Sequence, residues 1–249
     1  MIVLRPKLWT SLSAAVLLGA SVGACGQGET GADAPKADAP AAKPAEAVGE
    51  GGEAAEMGAA AAYGAIPAAS KTALQLSHLE GFFLIAKTQP EGADYAAALA
   101  GQGMLEVYDK DPAAFQAAGV DKAVLDKAVQ SGAPADLDAA IANLRAARAK
   151  SGGDAAEVVK ALVGIGDGIY KGVEKDGAID SVEYQHSLGS ILAAQEVASR
   201  EGGGNAKLAA AKADLDKLAA LWPKPVAPEK VTPAGQVSAQ AARVQLALS

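Results

Sequence analysis

The chain has 249 residues, with 22 Lys and Arg against 29 Asp and Glu, a formal net charge of −7 and only 4% aromatic residues. That balance excludes the basic, aromatic-interleaved surface of a nucleic-acid binder. A single cysteine, Cys25, excludes an internal disulfide and any zinc or iron–sulfur site built from several cysteines.

The chain opens with Arg5 and Lys7, followed by the apolar run "LSAAVLLGA" from Leu12 to Ala20. This run is too short to span a bilayer but suits the core of a signal peptide. Val22 to Cys25 reads "VGAC", which resembles the lipobox of bacterial lipoproteins. The resemblance implies that residues 1–24 are a cleaved signal peptide. It also implies that Cys25 carries a diacylglyceryl thioether and an acylated (palmitate-type) N-terminus. Gly26 follows, with no Asp, which by the same resemblance implies sorting to the outer membrane, facing the periplasm. Several acyl chains together make a stable anchor. No later segment has eighteen uninterrupted apolar residues, so no further span is expected.

Residues 25–62 read as the lipidated cysteine and a disordered tether rich in Ala, Pro and Glu. From Gly26 to Glu56 there are seven acids against Lys36 and Lys43, a net of −5. Val48 is the one large apolar side chain before Met57. Such a segment buries too little surface to offset its ordering entropy. The prolines of "APKADAPAAKPAE" stiffen it into a spacer.

Residues 63–222 are expected to form the folded body, an all-α antiparallel bundle of about six to eight helices, because apolar residues recur at three and four and no stretch alternates with period two. The first helix, 67–89, places Leu76, Leu79, Phe82, Phe83 and Ala86 on one stripe. The second, 93–109, places Leu99, Leu105 and Tyr108 similarly, weakened by Gly101 and Gly103. Helices at 111–119 and 121–132 are capped by Asp111 and Asp121, with Pro112 at a first helical position and Gly132 as a stop. The helix at 134–152 carries Leu137, Ile141, Leu144 and Arg148 on one side. The helix at 154–175 starts with an Asp154…Glu157 capping box. Helices at 180–199 and 205–223 complete the body. Residues 223–249 are a Pro-rich linker and a C-terminal helix.

The densest cluster of chemistry is "EKDGAIDSVEYQHS", Glu174 to Ser187. In calcium-loop register, Glu174, Asp176, Asp180 and Glu183 occupy ligand positions and Gly177 the turn position. Gly172 stands where the first ligand, normally Asp, belongs. The alternative account uses the same residues structurally. Gly177 in a left-handed conformation ends one helix, Asp180 caps the next, and Glu183 completes a capping box.

Glu183 and His186 also form a Glu-x-x-His pair on one helix face, the motif of di-iron bundles. The chain has two histidines, His78 and His186, and Gln75 stands where the matching acid before His78 would be. A complete di-iron site is therefore excluded. A mononuclear iron site from His78, Glu80, Glu183 and His186 requires the two helices to face each other.

"GIYKGVEKDGAIDSVEYQHSLGSILAAQE" resembles the helical periplasmic domain attached to bacterial iron permeases, and its stand-alone relatives. Tyr170, Asp176-Gly177 and Glu183-Tyr184 match its Tyr, turn and "EY" helix. "HLEGFFLIAK" and "GMLEVY" resemble two further helices of the relatives. The histidines expected near Phe82 and Gly103 are missing, and the resemblance covers residues 72–198. It implies a periplasmic bundle near iron traffic.

Gly-x-Ser-x-Gly and His-Glu-x-x-His are absent, and no phosphate-cradling glycine loop follows a strand. The functional expectation is therefore a lipid-anchored, non-enzymatic binding or accessory protein of the cell envelope, linked to metal uptake. The alternative is a structural envelope lipoprotein that presents helices to a protein partner.

Overall fold

The computed structural model describes the backbone of residues 53–249 and the side chains from residue 59 on. The signal peptide, Cys25 and the tether as far as residue 52 lie outside the described residues. The all-α expectation holds. The helices are α1 (Glu53–Ala65), α2 (Ala68–Lys87), α3 (Ala93–Gly103), α4 (Pro112–Ala117), α5 (Lys122–Ser131), α6 (Pro134–Ser151), α7 (Ala155–Tyr170), α8 (Ser181–Glu201), α9 (Ala206–Ala219) and α10 (Ala234–Ala247). A five-residue π-turn, Met104–Tyr108, extends α3. A short antiparallel hairpin, β1 (Glu174–Lys175) and β2 (Ala178–Ile179), separates α7 from α8.

The helices expected within residues 63–222 correspond to α2–α9, and two more pack around them. One is α1, which occupies residues 53–62 of the expected tether. Its alanines are strong helix formers, and Ala59, Ala62 and Tyr63 pack against the core beside α7. The other is α10, which buries Val237, Ala241, Val244 and Leu248 in that same core.

The caps follow the sequence closely. Asp111, Asp121, Asp154 and Asp180 each accept a hydrogen bond from the first-turn backbone of their helices. In both expected capping boxes the cap's own N–H finds a tertiary acceptor. Asp154 N–H donates to Ser70 Oγ at 2.9 Å, and Asp180 N–H donates to Val173 O at 2.8 Å. The boxes thus also weld helix starts to neighbouring segments.

Helix α2 runs through the middle of the molecule. Leu74 and Ile85 join one apolar cluster with α7, α8, α9 and α10. Leu76, Leu79, Phe82 and Phe83 join a second with α3, the π-turn, α5 and α6. Its neighbours run antiparallel: Lys87 pairs with Asp138 and Glu80 with Arg145 on α6. On α8 the crossing point is Gly81 against Gly189. A Cβ on Gly81 would lie 2.6 Å from the Gly189 carbonyl oxygen, and one on Gly189 2.8 Å from that of Gly81. Only two glycines let these backbones approach so closely.

One apolar position fails the helical stripe. Leu105 is 66% exposed, whereas Met104, Val107 and Tyr108 are buried. The π-turn holds an extra residue in its turn, so it rotates Leu105 outward and leaves Glu106 half-buried.

Candidate functional site

Eleven polar or charged side chains are buried among the described residues, and all but Arg148 lie on α2 or α8. Burying such groups costs free energy unless they are partnered, so their concentration along one helix pair marks a polar seam between two apolar cores. The glycine crossing lies within it. The sequence around the crossing is duplicated: Gln75-x-x-His78-x-x-Gly81 on α2 and Glu183-x-x-His186-x-x-Gly189 on α8. With the helices antiparallel, the two copies meet head to tail about the glycine contact.

The seam brings both histidines to one face of Phe82's surroundings. The ring centroids of His78 and Phe82 are 5.5 Å apart, and those of Phe82 and His186 are 4.8 Å apart. His78 is 4% exposed and His186 2%. Burial lowers His78 to about 3, helped by repulsion from His186. Burial likewise lowers His186 to about 4, against a smaller opposing pull from Asp180. Both rings are neutral at physiological pH. His186 Nε2 pairs with Gln102 Oε1 at 2.8 Å. Its Nδ1 lies 3.8 Å from Glu106 Oε1, beyond hydrogen-bond range. The Tyr63 hydroxyl lies 3.0 Å from His78 Nδ1, and burial raises its pKa, so it stays protonated. With that hydroxyl donating to Nδ1, the ring proton of His78 sits on Nε2. This nitrogen is buried and has no protein partner.

The four residues expected to bind a metal together do not converge. Two positions along a helix turn a side chain through about 200°, so Glu80 leaves the face that His78 occupies. Its Oε1 accepts from Arg145 Nε at 2.6 Å and its Oε2 from Arg200 Nη2 at 2.9 Å. Arg145 also reaches Glu196 at 2.6 Å. Burial pushes the Glu80 carboxyl up, and the two arginines pull it back. Glu183 is buried on the face of His186. Among the described residues, no group of three or more His, Cys, Asp or Glu side chains is arranged to hold a metal ion.

The calcium-loop reading is corrected as well. Helix α7 stops at Tyr170, short of the expected 175. The hairpin that follows pairs Glu174 with Ile179 and Lys175 with Ala178. Asp176 and Gly177 have φ of 55° and 78°, the positive values that a two-residue type I′ turn requires at both central positions. Gly177 therefore turns a hairpin rather than ending a helix. Asp180 Oδ1 is committed to the backbone N–H groups of Val182 and Glu183, at 2.9 and 3.1 Å.

Beside the seam a cleft of about 390 Å³ opens between α1, α2 and the π-turn. Lys71, Gln75 and His78, at i, i+4 and i+7, form its α2 wall. Lys71 and Lys110 are exposed at its edge, while Gln75 and His78 are buried in its depth. Gln75 Nε2 donates to Asp111 Oδ2 at 3.1 Å, and Gln75 Oε1 has no protein partner. Each buried, unpartnered polar atom costs about 1–3 kcal/mol. The cleft thus stores free energy that a ligand pairing Gln75 Oε1 and His78 Nε2 would recover.

Sequence reading missed Tyr63, Gln75, Gln102, Glu106 and Asp111. A signal existed for Gln75, which stands at the Glu183 position of the duplicated motif. For Glu106 the signal was a carboxylate between Leu105 and Val107 after two glycines. Tyr63 fell at the boundary of the supposed tether.

Fold and site together define an all-α bundle with a central polar seam and a lateral cleft. The chain matches no family model, no curated protein and no solved structure.

Proposed function

We propose that this protein is a binding module of the cell envelope, held at a membrane through lipid on Cys25, that takes a small ligand in the cleft between α1, α2 and the π-turn. The observation that carries the reading is the pair of buried, unpartnered atoms, Gln75 Oε1 and His78 Nε2, at the depth of that cleft. A cavity of this size is ordinary for small-ligand sites. Binding is favoured over catalysis because general acid–base work needs a pKa near the operating pH, and burial holds His78 at about 3. Among the described residues, no helix is long and apolar enough to cross a membrane, which is compatible with a lipid as the anchor. The link to metal uptake rests on the sequence resemblance alone, and the scattered positions of His78, Glu80, Glu183 and His186 weigh against a metal as the ligand.

The test is native mass spectrometry, with elemental analysis, of the protein isolated from its own envelope. A non-covalent organic adduct is expected, lost on denaturation and absent from an Ala60→Phe variant that fills the cleft. Stoichiometric iron instead would move the site to a metal. A bare chain that also shows no thermal shift with any compound of a metabolite library would favour the structural lipoprotein. Fractionation tests the anchor: wild type in the membrane and Cys25→Ser out of it is the expected result, and a soluble wild type would sink the anchor.

A further inference from the structure

We infer that the cleft is selective for a small amphipathic monocarboxylate bearing a hydroxyl at its far end. This rests on the binding reading above and names the ligand class. The edge of the cleft carries two ammonium groups, Lys71 and Lys110, both exposed and neither in an ion pair within the described residues. The acids nearby are already committed. Asp111 accepts from Gln75 Nε2 through Oδ2 and from the backbone N–H of Ala114 through Oδ1, and Glu106 faces His186. The free charge at the edge is therefore positive, which suits a carboxylate.

The depth of the cleft is neutral. His78 Nε2–H is a donor and Gln75 Oε1 an acceptor, and both are more than nine-tenths buried and without a protein partner. A hydroxyl can accept from the first and donate to the second. A carboxylate there would meet an acceptor it cannot bond, and an ammonium would face a donor. Between edge and depth the walls are apolar, with Ala60, Val107 and Ile169 among them. Lys71 and His78 are seven residues apart on one helix, about 10 Å of rise. That separation fits a single ring or a short alkyl chain between the two polar ends.

The test is calorimetric titration of the full mature chain in detergent with three probes: 4-hydroxyphenylacetate, phenylacetate and tyramine. The first is expected to bind. Phenylacetate should bind about tenfold more weakly or worse, because it leaves both buried atoms unpaired. Tyramine, a cation, should be weaker still. Lys71→Met and Lys110→Met should each weaken 4-hydroxyphenylacetate by about two- to fivefold, with a smaller loss at high salt, as expected of partly exposed ion pairs. Both lysines are exposed, so unchanged melting temperatures would show these variants folded. Gln75→Leu should erase the preference for the hydroxylated probe and leave the lysine effects in place. Tyramine or phenylacetate binding as well as the hydroxy acid, or lysine variants without effect, would overturn the assignment. So would failure of 4-hydroxyphenylacetate to bind. In that case a different adduct found on the native protein leaves the binding reading standing, whereas a bare native protein removes both.

Discussion

His78 and His186 make the stability of this protein depend on pH, and the sign follows from their burial. Both begin from an ordinary value of 6.5 and are lowered in the fold, to about 3 and about 4. Between those values and 6.5 the unfolded chain binds protons that the folded chain refuses. Stability is therefore full above about pH 6.5 and is lost as pH falls toward the folded values, by up to about 1.4 kcal/mol per histidine per pH unit. Urea melts at pH 7 and pH 5 should show the loss in wild type, and His186→Gln should show a shallower one. Equal losses in both would place the acid sensitivity elsewhere. Asp180 acts through its cap. Asp180→Ala should lower stability by about 0.5–2 kcal/mol, and the loss should be the same with Ca²⁺ or with chelator, because its Oδ1 is spent on the backbone of α8. A calcium-dependent loss would restore the cation reading of this segment.

Elements meet most tightly where α2 crosses α8. Gly81→Ala would push a methyl to 2.6 Å from the Gly189 carbonyl oxygen, and separating two core helices should cost about 1–3 kcal/mol. Gly164 is the control. It lies inside α7, and its added methyl would find only the end of the Gln245 side chain at 3.5 Å. Gly164→Ala should therefore stabilise by about 0.5–1 kcal/mol through helix propensity. Chemical melts of the two variants should move in opposite directions. If both stabilise, the crossing is looser than the geometry requires. The π-turn works at the same scale, because one extra residue in a turn decides that Leu105 faces solvent and Glu106 faces the seam.

The whole molecule is organised by one helix serving two cores. Since α2 contributes apolar residues to both clusters, the two sides of the bundle share a wall. The terminal helices close one side. Val237, Val244 and Leu248 of α10 are buried there, each worth about 1.5–3 kcal/mol. Together these are a large part of an ordinary domain's 5–15 kcal/mol. Truncation after Trp222 should therefore abolish or nearly abolish the cooperative thermal transition seen by circular dichroism. A truncated chain that melts within a few degrees of the full one would show that α10 is an appendage.

The sequence by itself determined the helical class, the positions of the helices α2–α9 and α10 and the Asp caps, because three-and-four periodicity, Asp before a helix and Pro at its first turn act within a few residues of themselves. It also placed both histidines on buried helix faces. The Asp176-Gly177 hairpin was legible too, since Asp-Gly between extended residues is a local turn signal, but it was read as a helix end. What only the tertiary structure decided is which buried groups meet. The i, i+2 offset between His78 and Glu80 sends them to opposite sides of α2. The arginines that claim Glu80 lie 65 and 120 residues away, a separation no local pattern carries. Helix α1 was misread for a related reason: its alanines bury little each, and only the close face of α7 makes their helix worth forming. The cleft is the sum of such choices, with α1, α2, the π-turn and α7 each supplying a wall that has no meaning until the others are in place.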